Sequence, residues 1–305
     1  MKMTWKKLFR LVEDGYGQGH GDAYKPFLQV RRRNVSNRSN QSYGAWLFGY
    51  TREFHYFARG ERLIALLLVW LGAKDVREQF PLWPMPHLHP VIGAPGSENL
   101  VLSEAPGLMD LAEAAGIAHG MNPGSEVPYI ATIDLMCTAY LNRIPFLIAV
   151  SCKPRQLIDD ADAASRMLER LELERRYLKA VKVRYHVADK ETYSRHLYAN
   201  LCWLMPDGVI SQAACRTSEL LRFRDLLREQ VYDTPIDRAI ADAARSARLP
   251  AAIANSAFRF LAWHQEIDID IAHPIPMTLP ARRGGVALRH ALQRHILGEI
   301  DSESL

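Results

Sequence analysis

The stretch from Pro128 to Pro154 constrains this chain more than any other. It reads PYIATIDLMCTAY and then LNRIPFLIAVSCKP, two apolar, β-branched runs separated by Asn142-Arg143. That pattern predicts two neighbouring strands joined by a short connection. Asp134 interrupts the first run and Lys153 ends the second. A carboxylate inside an otherwise buried strand is costly unless it meets a cation or another partner.

Length and composition set wide bounds. The 305 residues suit one large or two ordinary domains, and 48% hydrophobic with 24% charged residues is the composition of a globular chain with ample core. A net charge of +4 is compatible with nucleic acid without selecting for it. The longest apolar run, Leu63 to Leu71, is too short to span a bilayer and reads as a buried helix face. The opening MKMTWKKLFRLVEDG lacks the apolar block and cleavage site of a signal peptide. Cys137, Cys152, Cys202 and Cys215 form no CxxC pair, so they are read as reduced, mostly buried thiols. The expectation is a cytoplasmic protein without a membrane partner.

Along the chain, residues 4–13 predict a short amphipathic helix. GYGQGHGDAYKP follows, with His20 where a third loop glycine of a dinucleotide site would stand. It is read as a surface loop before a strand at Phe27–Arg32, with no nucleotide cofactor. Arg31, Arg32, Arg33, Arg38 and Arg52 fit either a solvated loop or a phosphate-contacting edge. Residues 52–72 predict a helix ended by Gly72, with Glu61 before its apolar part. Residues 74–82 predict a strand emerging at Pro81. His87 and His89 sit in a proline-bracketed loop with no further ligand at zinc spacing. A helix over roughly 107–116 is capped by Gly116.

Residues 155–181 predict a long helix, with Asp159, Asp160 and Asp162 early and Arg170, Arg175, Arg176 and Lys179 late, matching the helix dipole. Its apolar face is assigned to Met167, Leu168, Leu171, Tyr177 and Leu178, and Glu172 and Glu174 to solvated ion pairs. Val183–Val187 predicts another strand. Strand, strand, helix, strand after a large helix gives an α/β core with helices covering a mixed sheet. Beyond Ala188 helices are expected near 190–205, 212–229, 235–247 and 250–264. The alternation IDIDIA over 267–272 predicts a half-exposed strand. Those helices, a short β element, Arg282 and Arg283 suggest a helix-turn-helix with a wing, which binds DNA or protein.

An Asp on one strand and a Ser-x-Lys ending the next is how metal-dependent nucleases with a PD-(D/E)xK core arrange their chemistry. Six motifs run in the order of the TnsA family, the endonuclease subunits of heteromeric cut-and-paste transposases. They are the GYGQGHGDAYKP opening, REQFPL at 77–82, LAEAAGI at 111–117, Thr132-Ile133-Asp134, Val150 to Pro154, and LERLELERRYL at 168–178. Over residues 12–190 the chain resembles that family.

The resemblance implies a restriction-endonuclease-like catalytic domain over 1–188. It implies a mainly helical, winged-helix-like domain over 189–305 for contacts within a transposase complex. It places Glu61, Asp134, Ser151 and Lys153 at the catalytic positions. Glu61, Asp134 and the backbone carbonyl of Cys152 would be the metal ligands, for one or two Mg²⁺ ions with Mn²⁺ substituting. The family usually carries Gln where Ser151 stands. The implied partners are transposon-end DNA, a TnsB-like DDE transposase and a TnsC-like AAA+ regulator, at the bacterial nucleoid. The implied reaction is phosphodiester cleavage at the transposon 5′ ends. The departure at Ser151 leaves a second reading, a catalytically silent assembly subunit.

Overall fold

The two β-branched runs form the expected hairpin, and the rest of the N-terminal unit is built around it. The computed structural model describes residues 2–31, 40–43, 50–153, 161–188, 191–211 and 216–298. These fall into two compact units, one reaching to residue 190 and a second over Glu191–Gly298.

In the first unit the elements are helix α1 (Trp5–Glu13), strands β1 (Asn40–Tyr43) and β2 (Glu53–Tyr56), helix α2 (Arg59–Leu71), β3 (Asp75–Leu82), α3 (Leu108–Ala115), β4 (Ala131–Leu141), β5 (Ile144–Cys152), α4 (Ala161–Ala180) and β6 (Arg184–Ala188). The four longer strands make one sheet in the order β3-β4-β5-β6, and β1 pairs with β2 in a separate ribbon. β3 and β5 both run antiparallel to β4, whereas β6 is parallel to β5 and is reached through α4. The mixed α/β core is therefore present.

The β4–β5 connection is the two-residue turn Asn142-Arg143, with φ of 50° and 66°. Positive φ at both central residues matches the right-handed strand twist, so the turn fixes the register that pairs Leu141 with Ile144. α2 buries Ile64, Leu66, Leu67, Leu68, Trp70 and Leu71, each contributing about 1.5–3 kcal/mol by leaving water. Gly72 ends it at φ 114°, a left-handed conformation that costs glycine little.

Several expectations are corrected. The predicted helix over 52–72 is a strand followed by a helix. Phe54 and Tyr56 stack, with ring centroids 6.0 Å apart, as buried residues of β2, and the helix starts at Arg59. The strand expected at Phe27–Arg32 is absent over its described part; Phe27 N–H instead donates to Gln79 O at 3.3 Å. The glycine-rich stretch is no free surface loop. Tyr24 is buried with its hydroxyl on Glu78 O, and Asp22 Oδ1 accepts from Thr51 N and Arg52 N. A side chain at Gly17 would run into the Pro81 ring. The buried stripe of α4 is Leu173, Glu174, Tyr177 and Leu178, whereas Leu168 is 57% exposed. Asp159 and Asp160 lie outside the described residues.

The second unit contains α5 (Arg195–Leu204), α6 (Ser218–Gln230), α7 (Ile236–Ala247), α8 (Ala251–Trp263) and α9 (Gly285–Ile296). Ile267, Ile269 and Ile271 are buried, so the alternation seen in IDIDIA is real, but the segment forms no strand and turns at Ile271-Ala272. Its polar groups are used otherwise. Asp268 Oδ1 accepts from Gly284 N and Val286 N at the start of α9, and Asn200 Nδ2 donates to Ile271 O and His273 O. No strand pair, and so no wing, exists among the described residues of this unit. No helix among the described residues is long and apolar enough to cross a membrane.

Candidate active site

The register of the central sheet brings the polar residues together. Glu78 pairs with Leu135 and Phe80 with Ile133, so Gln79 stands across from Asp134. Leu135 pairs with Val150, which puts Asp134 across from Ser151 on the other side. Asp134 is 8% exposed. Its Oδ2 accepts from Lys153 Nζ at 2.9 Å and from Cys152 N at 2.7 Å. The carboxylate that looked awkward in the sequence is therefore tied to the end of the next strand.

Glu61 arrives from the first turn of α2, where a negative charge suits the helix dipole. Its Oε2 accepts from Phe57 N at 2.9 Å, a reach back across the helix start that satisfies a free N–H. Gln79 Nε2 donates to the same oxygen at 3.2 Å, and Gln79 Oε1 accepts from Thr132 Oγ1 at 3.1 Å. Gln79 achieves this with φ of 51° inside a strand. Such a conformation costs a non-glycine residue about 1–3 kcal/mol and is characteristic of functional sites. Burial and the charge of Asp134 together push the Glu61 carboxyl up to about 8. Asp134 Oδ1 and Glu61 Oε1 accept no hydrogen bond among the described residues.

Lys153 is the cation of this group. Burial works to lower its pKa, but the charges of Asp134 and Glu174 outweigh burial and hold it above the usual lysine range. Glu174 was assigned to solvent and is instead fully buried. Its Oε2 accepts from Ser151 Oγ at 2.5 Å and Tyr185 OH at 2.7 Å, and its Oε1 from Arg170 Nε at 3.0 Å. Arg170 also donates to Thr132 O at 3.0 Å, on the strand of Asp134. The sequence carried a signal for Glu174, because it sits three and four residues before Tyr177 and Leu178 on one helix face.

Asp134, Cys152 and Lys153 thus meet, and Glu61 lies near enough for the charges of Asp134 and Lys153 to act on it. Ser151 is next to them in the chain but is fully buried and spends its hydroxyl on Glu174. Cys152 contributes its amide to Asp134.

Other candidates have structural roles. His87 is held by Tyr177 OH and Met85 O, and His89 by Val181 O and Val91 N. Arg52 is no phosphate edge: its Nη1 lies 2.9 and 3.0 Å from the Glu78 oxygens, and its Nη2 donates to Val76 O. Arg31 donates to Gln29, and Arg32, Arg33 and Arg38 lie outside the described residues. Among the free cysteines Cys202 is exposed, while Cys215 lies outside the described residues.

Among the described residues no group of three or more His, Cys, Asp or Glu side chains is placed to hold a metal ion. Mg²⁺ needs fewer, since it commonly takes one or two carboxylates and fills its octahedron with water and substrate oxygens. Two hard carboxylates, each with an oxygen that accepts no hydrogen bond among the described residues, fit that demand.

No family model matches the chain. It is 28% identical over 230 residues to the Transposon Tn7 transposition protein TnsA of Escherichia coli, covering 73% of this chain and 71% of that one. This similarity agrees with the resemblance carried by the six ordered motifs.

Proposed function

We propose that the chain is the DNA endonuclease subunit of a transposase and hydrolyses phosphodiesters at transposon 5′ ends with one or two Mg²⁺ ions, for which Mn²⁺ substitutes. The observation that carries this reading is the 2.9 Å contact of Lys153 Nζ with Asp134 Oδ2 at the ends of paired strands. Asp134 and Glu61 would hold the ion through the oxygens that accept no hydrogen bond among the described residues, with the strand-end carbonyl of Cys152 as a further hard donor. When bound, the ion supplies charge compensation at the phosphate and acidity for the attacking water. Lys153 orients that water and neutralises charge that develops on the phosphate, a preorganised contribution made in a partly buried setting. Gln79 and the Phe57 amide orient Glu61, and the Cys152 amide orients Asp134.

Glu174 is a positioning residue. It holds Ser151, Tyr185 and Arg170 in one network beneath Lys153 and adds the second negative charge that keeps the lysine protonated. TnsB-like and TnsC-like partners would share the complex, the first acting at the 3′ ends and the second coupling both to target choice.

One observation favours a silent assembly subunit instead. The hydroxyl of Ser151, at the position where the family usually offers Gln, is committed to Glu174 and offers nothing to a metal. Product type separates the readings. A reconstituted wild-type complex in Mg²⁺ is expected to give simple insertions, because both strands at each end are cut. Cointegrates from the wild type would mean that the 5′ ends stay joined, and the assembly reading would replace the nuclease.

A further inference from the structure

α1 is buried on one side only. Leu8 is sealed among Trp83, Val127 and Ile130, with Met3 and Val12 packed beside it. The other side carries two large rings in the open. Trp5 is 42% and Phe9 50% exposed, and the two stack with centroids 5.9 Å apart. One residue on from each ring, Lys6 and Arg10 run along the helix as a parallel cationic row, both exposed. Lys2 is exposed ahead of the helix, and Glu13, one turn past Phe9, closes the row. Lys2, Lys6 and Lys7 make no ion pair among the described residues, and Arg10 has Asp14 at 3.9 Å.

Neither feature serves the fold. Lys6 and Lys7 occupy the first turn with no acidic residue beside them, where positive charge opposes the helix dipole. Two contiguous rings left in water forgo burial that would stabilise the chain, and such patches mark interaction surfaces. Together they ask for a polyanion with flat π faces. Duplex DNA offers phosphates but hides its base faces in the stack. An acidic peptide offers the charge alone. An unpaired nucleic-acid strand offers both, and rings set beside cations hold such strands without sequence preference.

The fold places this surface at the end of the sheet where the proposed nuclease site lies. Leu82 pairs with Ala131, and the pairing of Leu135 with Val150 brings Cys152 and Lys153 to the same end. Trp83 and Ile130, which hold Leu8, lie just past that end. Asp134 follows Ile130 by four residues, about 13 Å along a strand. A helix with its side chains is about 10–12 Å across. Trp5 and Phe9 therefore stand within roughly 30 Å of Asp134, the reach of about nine nucleotides.

We propose that the outer face of α1 binds an unpaired DNA strand beside the cleavage position. Bases stack on Trp5 and Phe9, and phosphates contact Lys2, Lys6 and Arg10. The choice of DNA and the place beside the cut rest on the nuclease reading, whereas the surface and its chemistry do not.

The test titrates the full chain, in chelator so that nothing is cut, into a labelled 15-nucleotide oligo(dT) and a labelled 15-base-pair duplex, read by fluorescence anisotropy. The single strand is expected to bind at least fivefold tighter than the duplex. Trp5→Ala with Phe9→Ala is expected to weaken single-strand binding at least tenfold with an unchanged circular dichroism spectrum. Trp5→Phe is expected to keep most of the affinity, because a ring remains. Should the double alanine variant lose its fold, Lys6→Gln with Arg10→Gln decides, by lowering the slope of log K against log salt by about 1.4. Equal binding of strand and duplex, undiminished binding by the ring variant, or an unchanged salt slope would overturn the proposal. Displacement of the strand by poly-glutamate at equal charge would assign the face to an acidic protein instead. Because binding is read without cleavage, a failure here leaves 5′-strand cutting untouched, and a failure to cut leaves this binding intact.

Discussion

Two buried carboxylate clusters meet on β3, and they are finished differently. Glu78 is closed. Both its oxygens face Arg52 Nη1, at 2.9 and 3.0 Å, one also accepts from His55 N, and the remaining Arg52 donors go to Val76 O, Gly21 O and Glu53 O. The pair holds β2 and the glycine-rich stretch against β3. Glu61 and Asp134 form the open cluster. Two carboxylates share one lysine, each keeps an oxygen unbonded among the described residues, and burial with like charge lifts Glu61 to about 8. Similar residue types at similar depth give a structural clamp in one place and, in the other, the open pair on which the proposed metal site rests. What separates them is the count of donors against charges.

The largest effect should fall on the clamp. Glu78→Ala leaves Arg52 uncompensated at 9% side-chain exposure and should destabilise the fold by about 3–5 kcal/mol. Asp134→Ala breaks the bond to Lys153 but relieves the repulsion with Glu61 and leaves the Glu174 charge beside the lysine, so it should cost clearly less stability than Glu78→Ala. Chemical denaturation of both variants checks this, and equal losses would erase the distinction between the clusters. Next, Lys153→Met should lower 5′-strand cleavage by about 10²–10³-fold while the chain still assembles with its partners. A smaller loss would show that the ammonium does not act on the reacting phosphate.

The acid–base state of Glu61 sharpens the comparison further. A carboxyl raised in the fold keeps a proton that the unfolded chain releases between about 4.5 and 8. The metal-free protein should therefore lose stability as pH rises through that window and level off above it. Glu61→Gln should flatten the slope, seen as melting temperatures from pH 5 to 9 in chelator. Each ~1 kcal/mol corresponds to roughly 2–4 °C for a domain of this size. Parallel slopes would place the proton elsewhere. The smallest effect is expected for Glu174→Gln, which keeps its shape and most hydrogen bonds but removes the second charge beside Lys153. The alkaline limb of the cleavage pH profile should move down, with little change in folding.

How much was legible depended on whether a residue announced itself locally. Asp134 and Lys153 stood out as charges against apolar strands, and Asn142-Arg143 stood out as a turn. Glu61 became a candidate through the family resemblance, because one glutamate at a helix start looks like any surface charge. Glu174 was missed because the apolar face of α4, correctly placed at Tyr177 and Leu178, was continued backwards through Met167, Leu168 and Leu171, whereas the buried stripe runs through Leu173 and Glu174. The strain at Gln79 has no sequence signature, since it depends on Glu61 and Thr132 arriving from distant segments. β2 was hidden because its partner, NQSY at 40–43, is polar and shows no strand pattern. IDIDIA alternated as a strand does, but its aspartates serve α9 and the adjacent loop rather than a ladder.

The most direct test of the central claim is strand-resolved cleavage of transposon ends by the full complex in Mg²⁺, comparing wild type with Asp134→Ala. The account predicts 5′-strand breaks by the wild type, loss of those breaks in the variant, and 3′-strand breaks by the partner in both. Undiminished 5′ cleavage by Asp134→Ala would contradict it.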